Sequence, residues 1–318
     1  MNSVALPSEF VERLRYLVPD KQWNSVLASF TVQKPAVLRI NTILISADKL
    51  IDKLQNEGFN IQQLDWKSDV ILVPREQRRQ ILDSPWYKKG LLYRQNLSGQ
   101  LAAMTLNPKS GENILDMCAA PGGKTLQMAC MMADTGHIVA VEKSKSRFFK
   151  LKTNLKQQQV SCVDLVLTDG TGLWRKFPER FDRVLLDAPC SSESRFRTYK
   201  PKTYEHWKLN KIKDMAKKQK ALIQSAVKSL KPGGMLVYST RSFAVEENEA
   251  IIDFALNRFE GTLKVEPITL PVENTQAGLL SWQNKAFDPQ LQNSVRILPN
   301  LLMDGFYLCL IKKLSSTL

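Results

Sequence analysis

Four carboxylates, Asp116, Glu142, Asp169 and Asp187, each close a short apolar run. The first opens the stretch Asp116-Met117-Cys118-Ala119-Ala120-Pro121-Gly122-Gly123-Lys124-Thr125. Its small residues and paired glycines let the backbone pass close to a ligand before a helix begins. The Gly-Lys-Thr end is similar to a phosphate-binding loop, but such a loop needs glycine at position 118, where this chain has Cys118. The G-x-G-x-x-G fingerprint of nicotinamide enzymes is missing too, which counts against a dehydrogenase. Glu142 falls 26 residues after Asp116, where an acid suits the two hydroxyls of a ribose. Asp169, in Thr168-Asp169-Gly170, can accept a hydrogen bond from an adenine amino group. Asp187 begins Asp187-Ala188-Pro189-Cys190. Any one of these acids is ordinarily a helix cap or a solvated loop end. Four of them without a phosphate cradle fit an adenosine ligand that carries positive charge. S-adenosylmethionine, with its sulfonium and amino group, is such a ligand.

Ligands of open α/β sheets bind at the carboxyl ends of parallel strands. The pattern from about Gly111 supplies those strands. Apolar runs at 113–118, 137–142, 163–169, 181–189 and 235–240 alternate with helical segments at 125–133, 145–158, 214–230 and 246–257. Runs near 263–268 and 306–312 complete the set. Alternation of this kind predicts an α/β fold with a mainly parallel sheet. The first hundred residues read differently. A strand over 37–43, a helix over 47–56 capped by Ser46 and ended by Gly58, and strands at Ile61 and 70–73 predict a small α+β module.

The 318 residues carry 45 Lys and Arg against 31 Asp and Glu, a net charge of +14, which points to a polyanionic partner such as nucleic acid. Much of it is concentrated: ten Lys or Arg between Arg195 and Lys220 face only Glu205 and Asp214, so this segment holds +8. Phe196, Tyr199, Tyr204 and Trp207 are interleaved, and aromatic faces can stack an unpaired base. Arg197, Lys200 and Lys202 are the candidate phosphate contacts, and Trp207 reads better as a core anchor. No run approaches the ~18 apolar residues of a membrane span. The start, Met1 to Glu9, lacks the basic stretch and apolar run of a signal peptide. Five scattered cysteines without CxxC spacing and two histidines predict free thiols, no metal site and a cytoplasmic location. Nothing indicates a protein partner.

Three segments in order then carry a resemblance: Cys118 to Thr125; Asp187-Ala188-Pro189-Cys190-Ser191; and Lys231-Pro232-Gly233-Gly234 leading to Tyr238-Ser239-Thr240. Together they resemble the Sun/RsmB/RsmF-type RNA cytosine-C5 methyltransferases. Leu38-Arg39-Ile40-Asn41-Thr42, Tyr93-Arg94-Gln95-Asn96, Glu246-Glu247-Asn248-Glu249 and Asp304-Gly305-Phe306-Tyr307 look like further signatures of that family. The resemblance implies a Rossmann-like methyltransferase core over 96–318 and an RRM-like, RNA-binding module over 1–95. It implies that Cys118, Ala119, Ala120, Pro121, Gly122, Gly123 and Lys124 line the S-adenosylmethionine site. Glu142, Asp169 and Asp187 would serve the ribose, the adenine and the methionyl end. The substrate class it implies is ribosomal or transfer RNA.

One position departs from the family. Carbon 5 of cytosine is a poor nucleophile until a thiolate adds at carbon 6. The family resembled uses two cysteines, one after Pro, here Cys190, and a nucleophile after Thr240, where this chain has Arg241. A guanidinium stays protonated and cannot add to carbon 6. Three readings are open. Cys190 is the nucleophile, as its Pro-Cys counterpart is in DNA cytosine methyltransferases, with Arg241 favouring its thiolate. Alternatively, the chain is a catalytically impaired homologue that acts as an RNA-binding or ribosome-assembly factor. In the third, Arg241 is an isolated substitution in a parent with cysteine. The family's usual glycine after Ser191 is also missing, replaced by Ser192.

Overall fold

The computed structural model describes residues 6–318; the leader-peptide reading of Met1 to Ala5 lies outside the described residues. Two compact units form. One runs from Gln33 to Gly170, and the other joins the stretch up to Val32 to Thr171–Leu318.

The first unit begins with β1 (Ala36–Ile40), a helix at Ala47–Asn56, β2 (Gln62–Leu64), β3 (Lys67–Val73), two short helices and β4 (Leu92–Arg94). The sheet order β2-β3-β1-β4 is ferredoxin-like, and every pairing in it is antiparallel. Leu50, Ile51 and Leu54 stack on one helix face against Leu38, Ile40, Ile71 and Val73, as their helical spacing requires. β1 stops short of the expected residue 43. The Asn41 side chain accepts the Ile43 N–H at 3.1 Å, and this Asx turn takes the chain out of the sheet. On the opposite face of β1, buried Arg39 donates to Gln95 Oε1 at 3.2 Å and to Cys130 Sγ at 3.1 Å. Asn41 donates to the Gln158 carbonyl at 2.8 Å. The Arg-x-Asn signature thus ties the module's sheet to the helix that carries Cys130.

The same unit continues with β5 (Asn113–Asp116), a helix at Gly123–Met131, β6 (His137–Glu142), a helix at Lys145–Gln157 and β7 (Val163–Leu167). β5, β6 and β7 pair in parallel in that order. Asp116 and Glu142 are the last residues of β5 and β6, and Asp169 follows β7 by two residues.

In the second unit β8 (Phe181–Asp187) lies parallel to β9 (Leu230–Thr240), and the helix Leu209–Ser229 makes the crossover. There follow β10 (Leu263–Glu266), β11 (Thr275–Ala277), the hairpin β12 (Ser281–Trp282) and β13 (Lys285–Ala286), then β14 (Val295–Ile297) and β15 (Phe306–Lys313). β15 runs antiparallel to β9 and also pairs with β10 and β14. The helix expected at 246–257 starts only at Glu249, after a 3-10 turn at Val245–Glu247. Asn248 breaks it with φ −116° and ψ −99°, because its side chain is committed to Thr240 Oγ1 and the Ser242 carbonyl. Among the described residues no helix is long and apolar enough to cross a membrane.

Candidate active site

The loop after β5 is pinned from several sides within its own unit. Ala119 N–H donates to Val141 O at 2.9 Å, at the end of β6. Arg147 and Asn154, on the helix after β6, donate to the carbonyls of Ala120 and Pro121. Gly122 has φ +108°, a left-handed conformation open to glycine, and a Cβ there would come within 2.8 Å of Leu151 Cδ1. A Cβ on Gly123 would meet Tyr93 Cε1 at 3.2 Å. Lys124 is buried, and Thr125 Oγ1 donates to Asp116 Oδ2 at 2.7 Å, which ties β5 to the helix.

Glu142 is 4% exposed. One of its carboxylate oxygens accepts the Ser144 N–H at 2.8 Å. The other, Oε2, has no hydrogen-bond donor; Arg147 Nη1 approaches to 3.2 Å as an ion pair without hydrogen-bond alignment. A buried anionic acceptor without a donor is costly unless a ligand supplies one. Asp169 accepts from Lys143 Nζ at 2.5 Å.

The second unit builds a thiol site. Asp187 Oδ1 accepts from Ser239 Oγ at 3.0 Å, linking the ends of β8 and β9. Cys190 Sγ accepts the backbone N–H of Arg241 at 3.4 Å. The residues flanking the thiol are held too. Gln219 Nε2 donates to Pro189 O at 2.8 Å and to Glu247 Oε2 at 2.9 Å, and the same oxygen accepts Ser191 N–H at 2.9 Å. Ser192 takes φ +60°, the conformation the family's glycine would supply.

Two carboxyls lie buried behind this loop. Glu193 accepts Trp207 Nε1 at 2.8 Å, Ser242 Oγ at 3.0 Å and the N–H groups of Phe243 and Ala244 at 2.8 and 3.0 Å. Ser242 Oγ is also 2.8 Å from Glu247 Oε1. One hydroxyl has one proton to give. With Glu193 the better supplied acceptor, Ser242 donates to Glu193, and Glu247 in its neutral form donates to Ser242. Burial, with the Glu193 charge adding to it, pushes Glu247 up to about 7. Burial also holds Glu193 above the usual carboxylate range.

Burial and then the Glu247 charge push the Cys190 thiol up to about 11, against the downward pull of the Arg241 N–H. Arg241 thus pulls toward the thiolate, as expected, but burial outweighs it. The contact with the sulfur is made by its backbone N–H. The guanidinium charge is felt instead at Arg195, whose pKa is lowered by burial first and by Arg241 next.

The chain matches the family described as 16S rRNA methyltransferase RsmB/F over residues 103–312, and the RsmF/B-like ferredoxin-like domain over 6–78. It belongs to the RsmB/F methyltransferase family. A tRNA (cytosine(49)-C(5))-methyltransferase of Pyrococcus abyssi is 34% identical over 280 residues, 87% of each chain. Ribosomal RNA small subunit methyltransferase F of Vibrio campbellii is 30% identical, and the match spans 99% of this chain but only 64% of that relative. A solved methyltransferase homolog from Pyrococcus horikoshii superposes with a TM-score of 0.79 at 29% identity, covering 97% of this chain and all of the other. RsmB/F enzymes are S-adenosylmethionine-dependent RNA cytosine-C5 methyltransferases, and a dehydrogenase reading falls away. The loop of small residues and the donor-free Glu142 oxygen fit that cofactor.

The RNA-facing residues expected for this RsmB/F member divide. Lys200 and Lys202 are exposed. Arg197 is not available in the same way: it is ion-paired with buried Asp304 at 2.5 Å and donates to the carbonyls of Ser194 and Phe196. Of the four interleaved aromatics only Tyr199 is exposed, at 47%. Phe196 and Trp207 pack edge-on against Phe10, and Tyr204 tilts against Phe196. Residue counting missed Gln219, Glu193, Ser242 and Arg147, since single polar residues carry no periodic signal. Glu247 was visible only within the Glu-Asn-Glu resemblance.

Proposed function

We propose that this chain transfers the methyl group of S-adenosylmethionine to carbon 5 of an unstacked cytosine in ribosomal or transfer RNA, with Cys190 as nucleophile. The observation that carries this reading is the Arg241 N–H on Cys190 Sγ. The residue that stands where the family's nucleophilic cysteine would be supports the other cysteine through its backbone. Cys190 thiolate adds to carbon 6 and makes carbon 5 enamine-like. The cofactor, when bound, supplies an electrophilic sulfonium methyl. Methyl transfer leaves the cofactor as its neutral thioether, and a water-borne base then takes the carbon-5 proton as the carbon–sulfur bond breaks and returns the thiolate.

The cofactor residues in this reading are Cys118 to Lys124, with Glu142 for the ribose hydroxyls, Asp169 for the adenine and Asp187 for the methionyl end. Lys200 and Lys202 take RNA phosphates. So do Arg195 and Arg241, whose guanidiniums form no ion pair among the described residues. The domains are 1–95, RRM-like and RNA-binding, and 96–318, the methyltransferase; the family matches over 6–78 and 103–312 support that division. Five free thiols and an RNA substrate favour the cytoplasm.

The test is methyl transfer from labelled S-adenosylmethionine to cytosine-containing RNA by the wild type, Cys190→Ala and Arg241→Cys. Label in the wild type that disappears in Cys190→Ala supports the proposal. An inert wild type with label gained only in Arg241→Cys identifies a disabled enzyme instead.

A further inference from the structure

The hydrogen bonds around Cys190 form a closed clamp. Gln219, on the long helix before β9, reaches the carbonyl before the cysteine, and Glu247 accepts the N–H after it. The two side chains are joined to each other at 2.9 Å. Glu247 is itself anchored, because its backbone carbonyl accepts from Tyr238 OH at 2.5 Å. Gln219 and Glu247 are both 0% exposed, and Gln219 Oε1 has no donor. Its amide therefore leaves an acceptor unpaired in order to give both N–H groups to the clamp, and such a cost persists where geometry is needed elsewhere.

We infer that Gln219 and Glu247 are positioning residues that fix the Cys190 backbone on both sides, and that the Glu247 charge is a brake on the thiolate. The inference deepens the proposed role of Cys190 and rests on it. Two anions in one dry pocket repel. Glu247 holds the N–H beside Cys190, meets Glu193 through Ser242 and takes the Tyr238 hydroxyl on its backbone carbonyl, and Asp187 acts on the same thiol. The neighbouring cations are Arg195, which feels the Cys190 charge, and Arg241, whose backbone N–H meets the sulfur. The position of Glu247 makes Cys190 hardest to ionise when Glu247 is charged, with Asp187 adding to the effect. A neutral Glu247 keeps its place in the clamp and releases the brake.

Alkylation of Cys190 by iodoacetamide, followed by peptide mass spectrometry between pH 6 and 10, reads this out without RNA or cofactor. A failure here is thus separate from a failure of methyl transfer. Glu247→Gln keeps the hydrogen-bond geometry and removes the charge. It should alkylate about tenfold faster at pH 8, the change expected for one pKa unit. Gln219→Leu should lower kcat and leave S-adenosylmethionine affinity unchanged. The wild type is a control that needs no variant. Its logarithmic rate should rise by less than one per pH unit through pH 6–8, while Glu247 titrates, and by one above that. A unit slope throughout, or a Glu247→Gln profile that overlays a folded wild type, overturns the inference.

Discussion

Arg241 gives its backbone N–H to the sulfur of Cys190 at 3.4 Å. Its guanidinium forms no ion pair among the described residues. In the proposed reading this backbone contact supports the thiol, while the Arg241 charge is felt at Arg195.

The Glu142 oxygen without a donor predicts where cofactor affinity resides. Glu142→Gln removes the anionic acceptor and retains the Ser144 contact. A charge-assisted hydrogen bond is worth about 1.5–3 kcal/mol, so S-adenosylmethionine should bind roughly 10- to 100-fold more weakly by titration calorimetry. An affinity within about twofold of wild type would remove Glu142 from the ribose site.

Arg197 and its basic neighbours should separate cleanly. Arg197→Ala takes the ion-paired guanidinium away from buried Asp304 and should destabilise by about 3 kcal/mol, visible as a lower denaturation midpoint. Lys200→Ala with Lys202→Ala should leave stability unchanged and lower the salt slope of RNA binding by about 1.5. Equal effects on both measurements would contradict this division of labour.

Ser192 occupies a left-handed conformation that costs a side chain about 1 kcal/mol. Ser192→Gly should therefore stabilise the protein by about that amount in urea unfolding. No gain, or a loss, would mean that the contacts of the serine outweigh the strain.

The buried acids set a pH dependence of stability. The pKa of Glu247 is raised from 4.5 to about 7 on folding. Its contribution is complete below pH 4.5 and is lost as the pH climbs to 7, amounting to at most about 3 kcal/mol. Glu193, shifted in the same direction, adds to it. Glu179 and Asp134, with lowered pKa values, act only in more acidic solution. Stability should fall between pH 5 and 8, and Glu247→Gln should flatten that fall.

β6 was readable to the residue and β5, β7 and β8 to within two, because they are short apolar runs that end in or just before an acid, whereas β9 begins at Leu230, five residues before the apolar run from 235. The loop after β5 was legible in its small residues and paired glycines. Charge counting around Arg197 could not foresee Asp304, 107 residues away in the chain. The apparent base-stacking aromatics were claimed by Phe10 at the start of the chain. Nothing in the sequence set Glu193 and Glu247 apart as buried acids, since ionisable side chains are seldom buried unless partnered. Their partners are mostly backbone N–H groups and hydroxyls, which leave no mark in the sequence.

RNA containing 5-fluorocytosine tests the central claim most directly. Fluorine replaces the proton that must leave carbon 5, so the carbon–sulfur bond cannot break after methylation and the enzyme stays attached. With S-adenosylmethionine present, mass spectrometry should find a methylated adduct on the peptide bearing Cys190, and Cys190→Ala should yield none. Methyl transfer to ordinary RNA without such an adduct, or an adduct at another cysteine, would contradict Cys190 as the nucleophile.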